Sequence, residues 1–295
     1  MQDERIHSRG NNNIDNIKTM KKIFTLIAAL LIALGASAGT VTRNFNDLGS
    51  FDAINISSAF KATLIQSDRY AATVTIDTEY EQYMDVSVIG TVLYVRMKDL
   101  PVKLTNLRRK KMEVTICVPS LKRIYLSGAA SLRSDDVWIC ATERFVLSLS
   151  GAAKAEKLRI TAVELGAEAS GASVFSVVGD FATMEIALSG AAAATFSGNW
   201  NDISLDASGS SKGTFIGEAE QITATCSGAS RLDGSLFKVD SAKLICTGAS
   251  KSTIDVSELL DVELTGASTC YYRSDNASVR VVPSISRASS LKKKN

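Results

Sequence analysis

The chain has 295 residues, with 33 basic and 31 acidic side chains, 45% hydrophobic residues and a single histidine, His7. The slight positive balance comes from the two termini, because residues 39–286 carry more acidic than basic side chains. This composition argues against nucleic-acid binding, and the lack of histidine after position 7 excludes Ser-His-Asp, Cys-His and imidazole-zinc chemistry in the rest of the chain.

A signal peptide is predicted at residues 20–38. It has a basic start at Lys21 and Lys22, an apolar run over residues 23–34, and a small-residue end at Ala38. Cleavage is expected between Ala38 and Gly39, so that residues 1–38 form a leader and the mature protein is exported to the periplasm, the outer surface or the medium. No later stretch is long and apolar enough to predict a transmembrane helix.

Residues 40–119 are predicted to form a β-rich segment that covers the N-terminal end of the repeats. Since an open end of stacked strands would expose unpaired backbone groups, such a cap is expected on physical grounds. The basic run 108–111 is expected to lie in a solvated loop. The predicted strands are Ile54–Ser57, Ala62–Gln66, Ala71–Asp77, Asp85–Ile89, Leu93–Met97 and Glu113–Val118, with one helical turn over Glu79–Met84.

A Ser/Thr-Gly-Ala/Ser tripeptide recurs through residues 120–282, at intervals of 18 to 23 residues. A near-constant interval of this kind is typical of repeat architectures, in which each copy is one structural unit. The repeated glycines are Gly128, Gly151, Gly171, Gly190, Gly209, Gly228, Gly248 and Gly266.

The residues before each glycine alternate with the period of a β-strand. The positions four and two before it are apolar in every copy, as in Leu147 and Leu149, and the position between them is mostly polar. A hydroxyl residue always stands immediately before the glycine. This pattern predicts a half-buried strand that ends at a glycine corner, with successive copies stacked to bury a shared core.

The predicted fold is an all-β, right-handed parallel β-helix with about 19 residues per coil. A β-propeller would need about 40–45 residues per blade, and leucine-rich or calcium-binding nonapeptide signatures are absent. A left-handed β-helix would need an apolar signal at every sixth residue, whereas this signal comes once per coil. After these repeats, the polar and basic residues 283–295 are predicted to be disordered.

The chain resembles a known family of exported proteins. The residues that carry the resemblance are 51–57 (Phe-Asp-Ala-Ile-Asn-Ile-Ser), 88–95 (Val-Ile-Gly-Thr-Val-Leu-Tyr-Val) and the serial Ser-Gly-Ala turns. Over roughly residues 45–275 they resemble the "putative autotransporter adhesin, head GIN domain" family. That resemblance implies a right-handed β-helix and an adhesive role, and it brings no catalytic residues.

Four cysteines fall at matching offsets from their glycines. Cys117 and Cys140 each lie eleven residues before a glycine, and Cys226 and Cys246 each lie two before one, so each pair is expected to stack in adjacent coils. Stacked Cα atoms lie within disulfide reach, but parallel side chains point the same way. The favoured interpretation is that these cysteines serve as small hydrophobic core residues.

Three functions remain open from the sequence. The favoured one is a non-enzymatic envelope protein, a putative adhesin whose β-helix surface binds a glycan or another envelope protein, without cofactor or metal. A carbohydrate-active enzyme is the alternative, although Glu168, Asp206 and Glu263 are predicted to lie several coils apart. A purely structural role is the third. The aromatic candidates for glycan stacking are Trp138, Trp200, Tyr271 and Tyr272.

Overall fold

The structure, a computed structural model, describes residues 39–107 and 109–294, with only the backbone of residues 141–143. The predicted leader, and with it the Ala38 side of the cleavage site, lies outside the described residues. The chain divides into two units, 1–41 and 42–295, and all that follows concerns the second. It forms a β-solenoid of about eight turns, which confirms the predicted all-β parallel β-helix.

The described secondary structure consists of strands with two short 3-10 helices, Thr78–Tyr83 and Val102–Leu104. The strands are β1 (Thr40–Phe45), β2 (Ala53–Ile56), β3 (Lys61–Gln66), β4 (Ala71–Asp77), β5 (Met84–Ile89), β6 (Val92–Met97), β7 (Met112–Val118), β8 (Arg123–Leu126), β9 (Ser131–Ser134), β10 (Val137–Leu149), β11 (Lys154–Ala169), β12 (Val174–Val178), β13 (Phe181–Leu188), β14 (Ala193–Ala207), β15 (Lys212–Cys226), β16 (Arg231–Cys246), β17 (Lys251–Leu264), β18 (Thr269–Arg273), β19 (Arg280–Ile285) and β20 (Ser290–Lys293).

Each coil places one strand segment before the glycine corner and another after it. The segments before the corner stack in parallel and form what we call the first face, as in the pairing of Leu147 with Ala167. The segments after the corner likewise form the second face, as in the pairing of Ala193 with Lys212. The remaining residues of each coil close the third side. The register is unbroken along the whole of β14 and β15.

The eight repeat glycines make the corner between the first and second faces. All have φ between 67° and 80°, a left-handed conformation that side chains disfavour. Seven of them, all but Gly128, pack directly on the glycine of the preceding coil: a Cβ added to Gly209 would lie 2.7 Å from the carbonyl oxygen of Gly190. That same oxygen accepts a hydrogen bond of 2.7 Å from the N–H of Ser210. The corner therefore has no room for a side chain.

Two further corners occur at non-glycine residues, so the glycine repeat does not predict them. Ser58 and Arg287 have φ of 66° and 60° and occupy the same position in the first and last coils. Gly128 packs on Ser58, and Ser58 can carry a side chain because it begins the series of stacked corners. Among the described residues, no coil follows Arg287. At this corner the hydrogen bond from the Ala288 N–H to the Gly266 oxygen is 3.0 Å long, compared with 2.7 Å at the inner corners, so the last corner is less tightly packed.

The interior is filled by the inward residues of all three sides. Leu, Ile and Ala occupy the columns four and two residues before each corner, as the alternation predicts, and they are buried. Phe175, Phe196, Phe215 and Phe237 form a stack through four coils, with ring centroids 5.2 to 5.6 Å apart. Such contacts add to the burial of apolar area that holds a solenoid together.

The N-terminal segment folds beneath the first coil and not in chain order. Its strands and helical turn match the predicted positions closely. β6 and β7 pair in parallel with β2 and β3, so these two strands lie below the coil that precedes them in sequence. β5 and β4 then pair antiparallel on β6 and β7. This reversal of direction ends the parallel stack.

The predicted disorder of residues 283–295 is not what the described part of that segment shows. β19 pairs with β17 and β20 pairs with β18, so the chain completes one more coil up to Lys293. The last coil contacts another coil on one side only, so its residues face water along one edge as well as on the outer faces. Its sequence is therefore polar, and a polar sequence predicts disorder. Pro283 lacks a backbone donor, and an edge strand tolerates that loss.

A cluster of charges fixes the β5–β6 hairpin. The Asp85 carboxylate accepts a hydrogen bond of 2.8 Å from the Arg96 Nε and lies 2.7 Å from the Lys98 Nζ. Burial raises the pKa of Asp85, but the hydrogen bonds from Lys98 and Arg96 outweigh it and hold the pKa below its usual range. The folded state therefore favours the ionised carboxylate.

Gly209→Ala should destabilise the protein by at least about 2 kcal/mol, since the new methyl group meets the Gly190 oxygen and the backbone is left-handed. Urea unfolding followed by circular dichroism measures the change. Gly49→Ala is the matched control, because a Cβ there meets nothing within 4 Å. Equal stability of the two variants would contradict the close approach at the corner.

Asp85→Asn should lower stability at pH 7 by up to about 1 kcal/mol, as expected for a partly exposed ion pair. A carboxyl whose pKa is depressed on folding stabilises above its unfolded pKa, and this contribution is lost as the pH falls through the folded pKa. The gap between wild type and variant in urea midpoint should therefore close at low pH. Asp135→Asn, at an exposed carboxylate, is the control and should leave the pH dependence unchanged.

Candidate binding surface

A shallow groove of about 380 Å³ runs along the first face. It is built from two outward columns, one residue and three residues before the corner. The residue before the corner is a half-buried serine in each coil here, and its short side chain forms the floor. The outward lining residues are Ser148, Ser150, Glu168, Ser170, Ala187, Ser189, Asp206, Ser208, Thr225 and Ser227.

Ala187 lies in the middle of this groove, which we call the hydroxyl groove, and has the smallest side chain in its outward column. It pairs with Glu168 on one side and Asp206 on the other, so the two carboxylates flank a methyl group. Two strand spacings separate them by about 10 Å along the stack. Within the described residues neither carboxylate forms an ion pair, and both side chains are exposed. They remain able to accept hydrogen bonds from a ligand.

The neighbouring acids are neutralised by Arg144. Its Nη2 lies 2.5 Å from a Glu185 oxygen, and its Nη1 lies 3.8 Å from a Glu164 oxygen. Gly166 provides the space for this arrangement, because a Cβ there would lie 2.7 Å from the Arg144 Nη2. Because Gly166 has no side chain, Arg144 can lie across this coil and contact both carboxylates.

The spacing of the two carboxylates in the groove differs from that typical of glycosidases. Retaining enzymes hold their two carboxyl groups about 5–5.5 Å apart and inverting ones about 6.5–9.5 Å. Glu168 and Asp206 are at the far limit of that range in a shallow open groove, and Glu263 is three coils further along the solenoid. Across the described residues, no three histidine, cysteine or carboxylate side chains are grouped to hold a metal ion.

The two lysines of the predicted basic run form ion pairs with acids. The Lys110 Nζ lies 2.5 Å from Glu79 and the Lys111 Nζ lies 2.9 Å from Glu113. An extended positive surface, as nucleic-acid binding requires, is therefore not formed by these two lysines. Neither short helix in the described part of the chain has the length that a membrane span needs.

The two tryptophans belong to the interior and not to a glycan platform. Trp138 is 1% exposed and donates its indole N–H to Ser134 Oγ at 3.0 Å. Trp200 is 4% exposed and donates to the Gly179 carbonyl at 2.9 Å. Tyr271 and Tyr272 are half-buried on the last coils, so they are the aromatic candidates that reach the surface.

The four cysteines at matching offsets divide into one stacked pair and two separated residues. Cys226 and Cys246 are adjacent in register and buried, as the shared offset predicts. Cys117 and Cys140 do not stack: Cys117 pairs with Ile65 and Ala71, whereas Cys140 pairs with Ala162. The offset argument fails for this pair because β7 lies beneath the first coil.

Ser252 links the stacked thiols from across the interior. Its Oγ lies 3.1 Å from the Cys246 Sγ and 3.9 Å from the Cys226 Sγ. Cys270 follows Ser252 in register, and burial raises the pKa of its thiol to about 12. The neighbouring Cys246 and burial also raise the pKa of Cys226. Cys226 and Cys270 are therefore core residues with little thiolate character, and Cys246 is buried between them and Ser252.

A family model described as "Putative auto-transporter adhesin, head GIN domain" matches residues 50–199 and 181–275. No curated protein sequence matches the chain. A crystal structure of a "putative lipid binding protein" from Parabacteroides distasonis has a TM-score of 0.64 at 16% identity, covering 88% of this chain and 98% of its own. A "putative adhesin" from Parabacteroides merdae has a TM-score of 0.63 at 17% identity, with 88% and 98% covered. A "putative adhesin" from P. distasonis gives 0.62 at 16%, with 86% and 97% covered.

Cys226, Cys246 and Cys270 should resist iodoacetamide in the folded protein and react fully in denaturant, because burial blocks access to all three thiols and raises the pKa of Cys226 and Cys270. Mass spectrometry of peptides after timed alkylation measures this. Cys117, which is only partly buried, is the internal control and should react before the other three. A native mass two hydrogens lower, mapped to Cys226 and Cys246, would show a disulfide and contradict the prediction.

Proposed function

Because the chain belongs to the "Putative auto-transporter adhesin, head GIN domain" family, we propose that it is an exported, non-enzymatic adhesin module that binds a neutral glycan in the hydroxyl groove. The observation that carries this proposal is the run of serine hydroxyls beside two carboxylates that form no ion pair. Hydroxyls donate and accept hydrogen bonds and carboxylates accept them, which suits a ligand rich in hydroxyl groups.

The solenoid favours an extended ligand over a small one. Equivalent side chains recur at the strand spacing of about 4.8 Å, so a polymer lying along the groove meets the same groups in successive coils. Individual contacts on an open surface are weak, but several sugar units bound together add their contributions. Such binding requires export, and export accords with the signal peptide predicted at residues 20–38.

The carbohydrate-active alternative has less support. Catalysis of glycoside hydrolysis needs an acid and a second carboxylate held around one bond in a site that restricts water. Glu168 and Asp206 face open solvent on either side of Ala187. An open groove of this shape suits the binding of a glycan better than its cleavage.

Ala187→Arg should lower affinity for the glycan at least tenfold, because the new side chain fills the gap and neutralises both flanking carboxylates. A glycan array with residues 39–295 identifies the best ligand, and isothermal titration calorimetry then compares the variants. Ala193→Arg is the matched control, since it makes the same change in the same coil on the second face. An array without any bound neutral glycan, or equal losses in both variants, would contradict the proposal and leave a structural role.

A further inference from the structure

A cluster of three lysines surrounds one tyrosine on the outer side of the second face, near the C-terminal end. The Nζ atoms of Lys251, Lys292 and Lys294 lie 4.9, 5.9 and 4.5 Å from the centre of the Tyr271 ring. Lys292 pairs with Tyr271 in register, and Lys251 pairs with Thr269 of the same strand as Tyr271. We call these four residues the lysine–tyrosine cluster.

The lysines of this cluster are not matched by acids. Among the described residues, no carboxylate lies within the 4 Å of an ion pair from any of the three ammonium groups. Of the acids on the neighbouring strands, Asp255 faces Arg273 in the next coil and Asp233 forms an ion pair with Lys212. Three like charges around one ring repel one another, and the ring offsets only part of that repulsion. An anion bound among the three lysines would offset the remaining repulsion between their charges.

A column of cations leads along the same face to the cluster. Lys212, Arg231 and Lys251 occupy one outward position in three consecutive coils, three residues after the corner. Lys212 shares its charge with Asp233 at 3.1 Å, whereas Arg231 has no ion pair in the described part of the chain. With the cluster, this column makes a basic strip that spans five coils, about 19 Å at the strand spacing of about 4.8 Å. The fourth coil contributes Tyr271 and no cation to it, and Lys292 lies two residues further from its corner than the cations of the column.

From this geometry we infer that the basic strip is a second binding site, separate from the hydroxyl groove, for a polysaccharide that carries carboxylate or sulfate groups. A linear polyanion carries many charges along its length, so it can contact the cations of several coils of the strip at once. The strip exposes no large apolar side chains at the cluster to insert into a membrane. Lysines occupy the surroundings of the Tyr271 ring, so it offers no free platform for stacking a nucleic-acid base.

Binding of polygalacturonate and chondroitin sulfate to residues 39–295, measured by biolayer interferometry at several salt concentrations, tests the inference. Lys292→Gln with Lys294→Gln should lower affinity at least tenfold and weaken its salt dependence, because fewer ions are released on binding. Lys238→Gln with Lys243→Gln makes the same charge change at exposed positions away from the second face and should have little effect. Melting temperatures of both double variants should match that of the wild type.

Two further variants separate the site from its alternatives. Tyr271→Leu should weaken binding without any change of charge, because Tyr271 is a positioning residue for the three lysines. Ala187→Arg should leave polyanion binding intact, so failure of the hydroxyl groove and failure of the basic strip are distinguishable. The inference is overturned if both double variants lose affinity equally, if neutral dextran binds as well, or if phosphatidylglycerol vesicles or single-stranded DNA bind more tightly than both polyanions.

Discussion

The solenoid depends on the contact between successive corners. At each inner corner a carbonyl oxygen accepts an N–H from the next coil at 2.7 Å, and the space beside that oxygen is too small for any Cβ. The contact sets the distance between coils and their register together. Because the register is set at the corner, the apolar residues on either side of it are brought into columns and buried, and the residues between them are turned outward.

Fixed register turns the outer surface into independent columns. A change at one offset alters one point of one face and leaves the corner and core unchanged, since outward residues contact mainly their equivalents in adjacent coils. The hydroxyl groove and the basic strip use different columns of partly the same coils. The two surfaces can therefore carry opposite charge: Glu168 and Asp206 lie on one, and Arg231 and Lys251 lie on the other.

The sequence predicts the coils well because their determinants are local. The alternation at Leu147 and Leu149 defines the inward columns, and the spacing of the glycines defines the stacking order within the repeats. What the sequence conceals is stacking that departs from chain order. The equal offsets of Cys117 and Cys140 predict a pair that does not exist, because β7 lies under the first coil. Ser58 and Arg287 escape detection since the ends of the stack relax the need for glycine. The groove could not be predicted either: it depends on Ala187 lying between two acids that are neighbours only in space.

The position of β6 and β7 beneath the first coil bears on how the protein assembles. A chain synthesised from its N-terminus completes β2, β3 and the strands below them before the first glycine corner at Gly128 exists. Every later coil then meets a finished edge with donors and acceptors already aligned. The N-terminal segment thus acts as a template from which the coils can be added one at a time, in the order of their synthesis and in one direction.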